Sequence, residues 1–164
     1  MSAVGSANNV QYGFEVADTS LVTVGGTSVG LIDGGINIRV PRTYSPLRAD
    51  QYHGPIKMTK VSQDVFVSFT MKEVLGGNLV AAWDGGAYAS SSAVVNTSAQ
   101  GEVAVVVNVK GPDGSTRTIT ISKAYSIGDA AWSLPFAAGQ TIEAEFQAVA
   151  DVANAGRMLA SVDS

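Results

Sequence analysis

The stretch DVFVSFTMKE, residues 64–73, carries the clearest structural pattern in the chain. Apolar residues recur at every second position along it. One face of the resulting strand would carry Val65, Val67, Phe69 and Met71, and the other Phe66, Ser68, Thr70 and Lys72. A repeat of two residues is the period of a β-strand that buries one face. The stretch therefore predicts a strand whose first face lies on a core.

Similar patterns lie on both sides of this stretch. Upstream, residues 21–40 read LVTVGGTSVGLIDGGINIRV, and the steps at Gly25-Gly26 and Gly34-Gly35 each predict a hairpin turn. Downstream, EVAVVVNVK (102–110) and STRTITISK (115–123) predict two strands joined by a turn at GPDG. The last predicted strand is QTIEAEFQAVAD (140–151), with Ile142, Ala144 and Phe146 inward and Glu143, Glu145 and Gln147 outward.

One segment breaks the period of two. EVLGGNLVAAWDGG, residues 73–86, spaces its large apolar residues for one helical face and predicts a short helix that begins near Asn78. Residues 86–101 read as a surface loop. With about seven strands and one short helix, the sequence predicts an all-β fold, either a β-sandwich or a small barrel.

The composition agrees with an all-β protein and narrows its function. The chain has 164 residues, 46% of them hydrophobic, with 18 glycines, a net charge of −4 and no cysteine. The absence of a Lys- and Arg-rich cluster argues against tight binding of nucleic acid. The absence of cysteine removes disulfides and thiolate chemistry. Without a signal-peptide pattern or an apolar run of about 18 residues, we expect a soluble cytoplasmic protein and no membrane partner.

A long connection lies inside RVPRTYSPLRADQYHGPI, residues 39–56. Most loops in a domain have about 4–6 residues, and much longer ones are usually functional or disordered. We therefore predict a β-sandwich domain over residues 20–152 with an extended loop at 41–55. Residues 1–19 would form an N-terminal arm and residues 153–164 a C-terminal tail, both ordered only in an assembly because they have few apolar residues.

The residue pattern argues against an enzyme. The glycine-rich VGGTSVG (24–30) lacks the Lys-Ser/Thr ending of a phosphate-binding loop, and His53 has no second histidine with which to share a metal. Glu143 and Glu145 would lie about 7 Å apart on one strand face, near the spacing of glycosidase carboxylates. Two acids on a strand are more often a solvated face, so we predict no catalytic residue, no metal site and no cofactor.

The order of elements in residues 21–83 resembles that of the tail tube (major tail) proteins of long-tailed bacteriophages. The shared features are a Gly-Gly hairpin, a strand, a long loop with "ADQ" (49–51), a "GP" step (54–55), a strand ending in Lys-Glu (72–73) and an apolar helix. The later hairpin and TIEAEFQAVAD also fit, so the resemblance covers most of the chain. Gly76-Gly77 departs from it, because relatives would favour better helix formers there.

The resemblance implies a structural virion protein. Its subunits would join edge to edge into hexameric rings, and the rings would stack into a tail tube that conducts phage DNA into the host. Implied partners are further copies of the chain, the tail terminator, the tape measure protein and the baseplate or tip proteins, whereas double-stranded DNA passes without specific binding. The protein would assemble in the bacterial cytoplasm and end in the tail of the virion.

Two sets of residues gain roles from this resemblance. The 41–55 connection would be an arm that reaches a neighbouring ring, with contacts from Arg42, Tyr44, Arg48, Asp50, Tyr52 and His53. The second set, Glu143, Glu145 and Gln147, would face the lumen, because a negative or neutral wall lets a polyanion slide. The alternative is that these three residues face the outer solvent.

Three other functions remain open from the sequence. A carbohydrate-binding or adhesin-like β-sandwich would need exposed aromatic residues on one face, whereas Tyr44 and Tyr52 lie in a loop and we expect Trp83 and Trp132 to be packed. A retaining glycosidase would depend on Glu143 and Glu145. A tube protein of a related injection or secretion machine would share the tail tube architecture.

Overall fold

The protein is all-β, as predicted from its period-two segments. The computed structural model describes residues 22–72, 76–83, 87–89, 92–94, 101–110, 116–136 and 138–163. The elements within these ranges are β1 (Val22–Val24), β2 (Thr27–Ser28), β3 (Ile32–Arg39), β4 (Arg42–Arg48), β5 (Pro55–Gln63), β6 (Phe66–Met71), α1 (Gly76–Trp83), β7 (Ala87–Ala89), β8 (Ser92–Val94), β9 (Val103–Lys110), β10 (Thr116–Ser126), β11 (Trp132–Ser133), β12 (Thr141–Ala148) and β13 (Ala160–Asp163).

One antiparallel sheet forms the body of the protein. Its strands follow the order β2-β1-β9-β10-β12-β6-β3, with β13 paired to β10 and β11 paired to β12. The long strand β10 joins two halves, because its first part pairs with β9 and its last residues, 124–126, pair with β12. Buried residues from both halves belong to one core cluster. The sheet therefore folds over a single core, which is the arrangement of a sandwich or barrel.

The central strand pair, β6 and β12, confirms both predicted inward faces. Three pairs of residues stand directly opposite one another and are almost completely buried: Val67 with Phe146, Phe69 with Ala144, and Met71 with Ile142. The rings of Phe69 and Phe146 stack with their centroids 5.9 Å apart. Cross-strand packing of this kind is the unit from which sheets gain stability.

The two Gly-Gly steps have different roles. Gly25 and Gly26 form the turn between β1 and β2 with φ of +59° and +82°, as predicted. The prediction of a second turn at Gly34-Gly35 was wrong, because these residues lie inside β3, where they shift its register against β6 between Asp33 and Ile36. Their φ values of +70° and +83° require the conformational freedom of glycine. The pair is therefore a bulge that bends an edge strand.

The helix forms close to its predicted position but begins at Gly76, two residues before Asn78. Tertiary contacts explain why glycine is tolerated at its start: the Asn78 side chain donates a hydrogen bond of 2.8 Å to the Val29 carbonyl, and Ala82 is fully buried. Such contacts outweigh intrinsic propensity. With eight residues, this helix is too short to cross a membrane, and the described part of the chain has no longer one.

Two regions that were expected to lack regular structure contain strands. The extended loop at 41–55 is one limb and the tip of a longer β-hairpin, because β4 pairs with β5 from Arg42 opposite Gln63 to Arg48 opposite Pro55. Within residues 86–101, β7 pairs with β8. The GPDG turn and the N-terminal arm at 1–19 lie outside the described residues.

The C-terminal tail also differs from its prediction as a loose segment. After β12 the chain reverses between Asp151 and Arg157, and β13 then pairs with β10 over residues 117–120. Asp151 is 4% exposed, and its carboxylate accepts hydrogen bonds from the Ala153 amide and the Asn154 side chain. Ala155 and Gly156 complete the reversal with φ of +56° and +73°. The buried cap on this turn, together with Met158 and Leu159, which pack against the core, positions the last strand.

We predict that Asp151→Ala loosens β13 without unfolding the body. Removing a carboxylate that accepts two hydrogen bonds in a buried turn costs about 1–3 kcal/mol. Hydrogen exchange followed by mass spectrometry should show faster exchange in residues 158–163 and unchanged protection in β12. Asp151→Asn, which keeps one acceptor oxygen, should give a smaller effect. Equal protection of β13 in Asp151→Ala and the original protein would contradict this account of the turn.

Candidate self-association surfaces

The hairpin formed by β4 and β5, residues 42–63, is the most exposed part of the described structure, and we call it the arm. Seven residues of β4 at about 3.3 Å each give it a length of about 23 Å. All six residues predicted to contact a neighbouring ring are exposed on it. Three lie on β4 (Arg42, Tyr44 and Arg48), and three lie in the tip (Asp50, Tyr52 and His53).

The arm also exposes aliphatic residues that the sequence prediction missed. Leu47, Met58 and Val61 are 55%, 54% and 65% exposed. Beyond the contact between its own two strands, the arm makes no large contact with another described strand or helix. A two-stranded hairpin is marginally stable at best in water. An arm with this much exposed apolar surface therefore has the properties of an interaction surface.

Charge is distributed unevenly between the arm and the rest of the chain. Residues 42–63 contain four of the 10 Lys and Arg residues but only one of the 14 acidic residues. The arm therefore has a net charge of +3, and the remaining residues have a net charge of −7, which together give −4. A second copy of the chain would attract the arm wherever its acidic surface is exposed.

A second surface is the outer side of β3, β6 and β12, which we call the polar face. Glu143, Glu145 and Gln147 stand opposite Thr70, Ser68 and Phe66 of β6, on the side of the sheet away from the core. Glu143 is exposed, whereas Glu145 and Gln147 are half-buried. The structure thus brings the three residues proposed for the lumen onto one face, as their spacing predicted.

Ion pairs neutralise both cations on the polar face. Arg39 donates a hydrogen bond of 2.9 Å to the Glu145 carboxylate, and its guanidinium lies over the Phe66 ring, 4.6 Å from the centroid. Lys72 lies 3.3 Å from the Asp33 carboxylate. These exposed pairs contribute little to stability. Their effect is electrostatic, because they leave the polar face with a net negative charge from Glu143.

A groove of about 520 Å³ opens on the polar face next to the bulge in β3. Its acidic lining residues are Asp33, Asp129, Glu143 and Glu145. Within the described ranges, no three His, Cys, Asp or Glu residues are arranged to hold a metal ion. Glu145 is engaged by Arg39, so the Glu143 and Glu145 pair does not form two free carboxylates facing each other.

A third surface consists of exposed apolar side chains at one end of the sheet, and we call it the apolar head. It contains Leu31, Trp132, Leu134 and Phe136, of which Phe136 is completely exposed. The expectation that Trp132 is packed was wrong, because 40% of its surface is exposed even though it contacts Trp83 at 6.0 Å. Trp83 is half-buried, and its indole donates a hydrogen bond to the Ala130 carbonyl.

The arm and the apolar head lie at opposite ends of the same strands. Arg39 stands opposite Phe66 at the end of the sheet from which the arm leaves. At the other end, Met71 stands opposite both Ile32 and Ile142, and Trp132 pairs with Ile142. Six residues of β6 separate the two ends by about 17 Å. Each subunit therefore carries two different apolar surfaces, one at each end of these strands.

The segment before β11 is held on β12 by a close backbone approach. The amides of Ile127 and Gly128 both donate to the Glu145 carbonyl, and the Glu143 amide donates to the Ala131 carbonyl. A Cβ atom at Gly128 would lie 2.9 Å from the Cβ of Glu145. Only glycine fits at this distance. Gly128 therefore fixes the position of residues 129–136 relative to β12. These residues include most of the apolar head.

One ion pair outside these surfaces has a resolved effect on a pKa. The hydrogen bond and the charge of Glu102, 3.0 Å away, raise the pKa of Lys123 above its ordinary value of 10.5. A raised lysine pKa adds stability below the ordinary value, and this contribution is lost as the pH rises through the raised value. Lys123 therefore stays charged at neutral pH and gives the protein no switch there.

Comparison with known proteins adds no family to this description. No protein-family model matches the chain, and no curated protein matches it. The tail tube resemblance therefore depends on the order of elements in the sequence, and the structure contributes the geometry of the arm, the polar face and the apolar head.

We predict that Gly128→Ala destabilises the protein by about 1–3 kcal/mol, because the new methyl group would overlap the backbone-anchored Cβ of Glu145 and β12 would have to move. Gly54→Ala is the matched control, since a Cβ atom there would meet nothing within 4 Å. Denaturant unfolding of both variants measures the difference. Equal midpoints for the two variants would show that the segment does not depend on this approach.

Proposed function

We propose that this protein is a tail tube subunit of a long-tailed bacteriophage. Its copies form hexameric rings that stack into the conduit for DNA delivery, and it has no catalytic role. The observation that carries the proposal is the arm, an exposed basic and apolar hairpin at one end of a sheet whose opposite end carries the apolar head. Two different surfaces that face opposite ways make a contact that does not close, so it propagates a filament.

The edges of the sheet support ring formation. β3 ends the strand order and pairs with β6 alone among the described strands, and the short strand β2 ends the other side. A free edge presents unpaired amide and carbonyl groups that favour pairing with another chain. Subunits joined by such edges around a rotation axis close into a continuous barrel, which leaves no edge free.

In this proposal the partners are further copies of the chain, the tail terminator, the tape measure protein and the baseplate or tip proteins. The tube assembles in the host cytoplasm and forms part of the virion. A tube protein of a related injection or secretion machine would use the same surfaces. Negative-stain microscopy of the purified protein tests the proposal: rings or hollow tubes would support it, and monomers at all concentrations would contradict it.

We predict that shortening the arm abolishes stacking and leaves folding intact. Replacement of residues 45–59 by Asn-Gly joins Tyr44 to Lys60, which already stand opposite each other, through a favoured two-residue turn. Because residues 45–59 make no large contact with a described strand or helix outside the arm, the free energy of unfolding should change by less than about 0.5 kcal/mol. Microscopy should show single rings at concentrations where the original protein forms tubes.

A control variant keeps the arm at full length but replaces Leu47 and Met58 by serine. This variant tests the apolar contacts of the arm separately from its length. It should also fail to form long tubes. Normal tubes from the shortened variant would contradict a stacking role for the arm, whatever the behaviour of the serine variant.

We also predict that the polar face lines the lumen. Its two cations are engaged by acids and Glu143 adds negative charge, so the wall would not hold phosphates as counterions are released. Glu143→Cys would introduce the only thiol of the chain at an exposed position. A maleimide too bulky for the lumen should label the dissociated subunit but not intact, capped tubes. Rapid labelling of intact tubes would place Glu143 on the outside.

A further inference from the structure

We infer that the apolar head is the docking site for the arm of a second copy of this chain. This inference rests on the proposed tube function and adds to it the surface on which the arm lands. Residues 132–136, which carry most of the head, have no role predicted from the sequence.

The first support is that both surfaces expose large apolar side chains in the described part of the structure. On the arm these are Leu47, Met58 and Val61, and on the head Trp132, Leu134 and Phe136. On the arm they lie on both faces of the hairpin, because Leu47 stands opposite Lys57 and Met58 stands opposite Pro46. Large exposed apolar surfaces are uncommon on monomeric proteins and mark interaction sites. An aromatic anchor that enters a partner's apolar surface is the usual centre of an interface, and the completely exposed Phe136 has this form.

Charge is the second support, and it selects the arm as the occupant. Residues 127–145, which include β11 and the start of β12, contain no lysine or arginine, and their acids other than the Arg39-paired Glu145 are Asp129 and Glu143. The arm contributes Arg42, Arg48, Lys57 and Lys60 against Asp50. Opposite charges around apolar centres fix the orientation of two partners and accelerate their encounter. Two arms or two heads would instead bring like charges together.

Position is the third support. The arm leaves the end of the sheet where Arg39 stands opposite Phe66, and the head lies at the end where Trp132 pairs with Ile142. Docking of arm on head therefore adds each copy with its strands pointing the same way. The contact repeats without closing, which is the geometry that a stacked tube requires.

Site-specific cross-linking tests this contact, because the chain has no cysteine of its own. Leu47→Cys places a thiol on the arm and Phe136→Cys places one on the head, both at exposed positions where folding should be unaffected. After the two variants are mixed under mild oxidation, peptide mass spectrometry detects the disulfide between residues 47 and 136. Docked thiols have an effective concentration in the millimolar range, so this disulfide should form at least about tenfold faster than that of a control pair.

The control pair is Leu47→Cys with Val162→Cys, which lies on β13 and is 63% exposed. If the original protein forms tubes but the 47–136 disulfide forms no faster than the control, the arm docks elsewhere and only this inference fails. If the original protein forms no rings or tubes at any concentration, the proposed function and this inference fail together. Leu134→Cys provides a second thiol on the head and should also react faster than the control.

Discussion

The pairing register of β6 and β12 is the constraint on which the rest of the structure depends. Val67 opposite Phe146 and Met71 opposite Ile142 place the apolar side chains of both strands in the core. The same register places Glu143 and Glu145 on the polar face. It also places the base of the arm and the apolar head at opposite ends of these strands. A slip of one residue would exchange the two faces, so it would bury two carboxylates and expose Phe146. Burial of the core therefore fixes the orientation of every surface that we assign to assembly.

The strands with one buried face could be predicted from the sequence, because apolar and polar residues alternate along such a strand. This holds for residues 65–71 and 142–148. The arm could not be predicted as a hairpin, since β4 buries neither face and its residues show no alternation of apolar and polar types. Pro46 lies within it, which suits a strand with one free edge. The tail was mistaken for a loose segment because its position depends on the buried Asp151 and the positive φ of Ala155, and neither leaves a periodic pattern.

The candidate surfaces were predictable to different degrees for related reasons. The spacing of Glu143, Glu145 and Gln147 was enough to place them on one face, because a strand has a fixed period. The predicted arm contacts are charged, tyrosine and histidine residues, and residue types of this kind do not point to Leu47, Met58 and Val61. The apolar head was missed entirely, since Trp132 and Phe136 look like core residues in the sequence. Only the pairing of β11 with the start of β12 shows that they lie at an end of the sheet rather than beneath it.

In the proposed tube, a contact that propagates without closing would polymerise single subunits unless each contact is weak. The arm meets this requirement, because an isolated two-stranded hairpin fluctuates and docking must order it. The ordering cost of side chains and backbone leaves little net affinity for one arm on one head. A ring presents all its arms at once, so the contacts after the first become intramolecular and their effective concentration rises to the millimolar range. In the proposed assembly, a marginal arm would therefore make tube growth depend on ring closure first, because the hairpin is exposed in the described structure and is stabilised only when it docks.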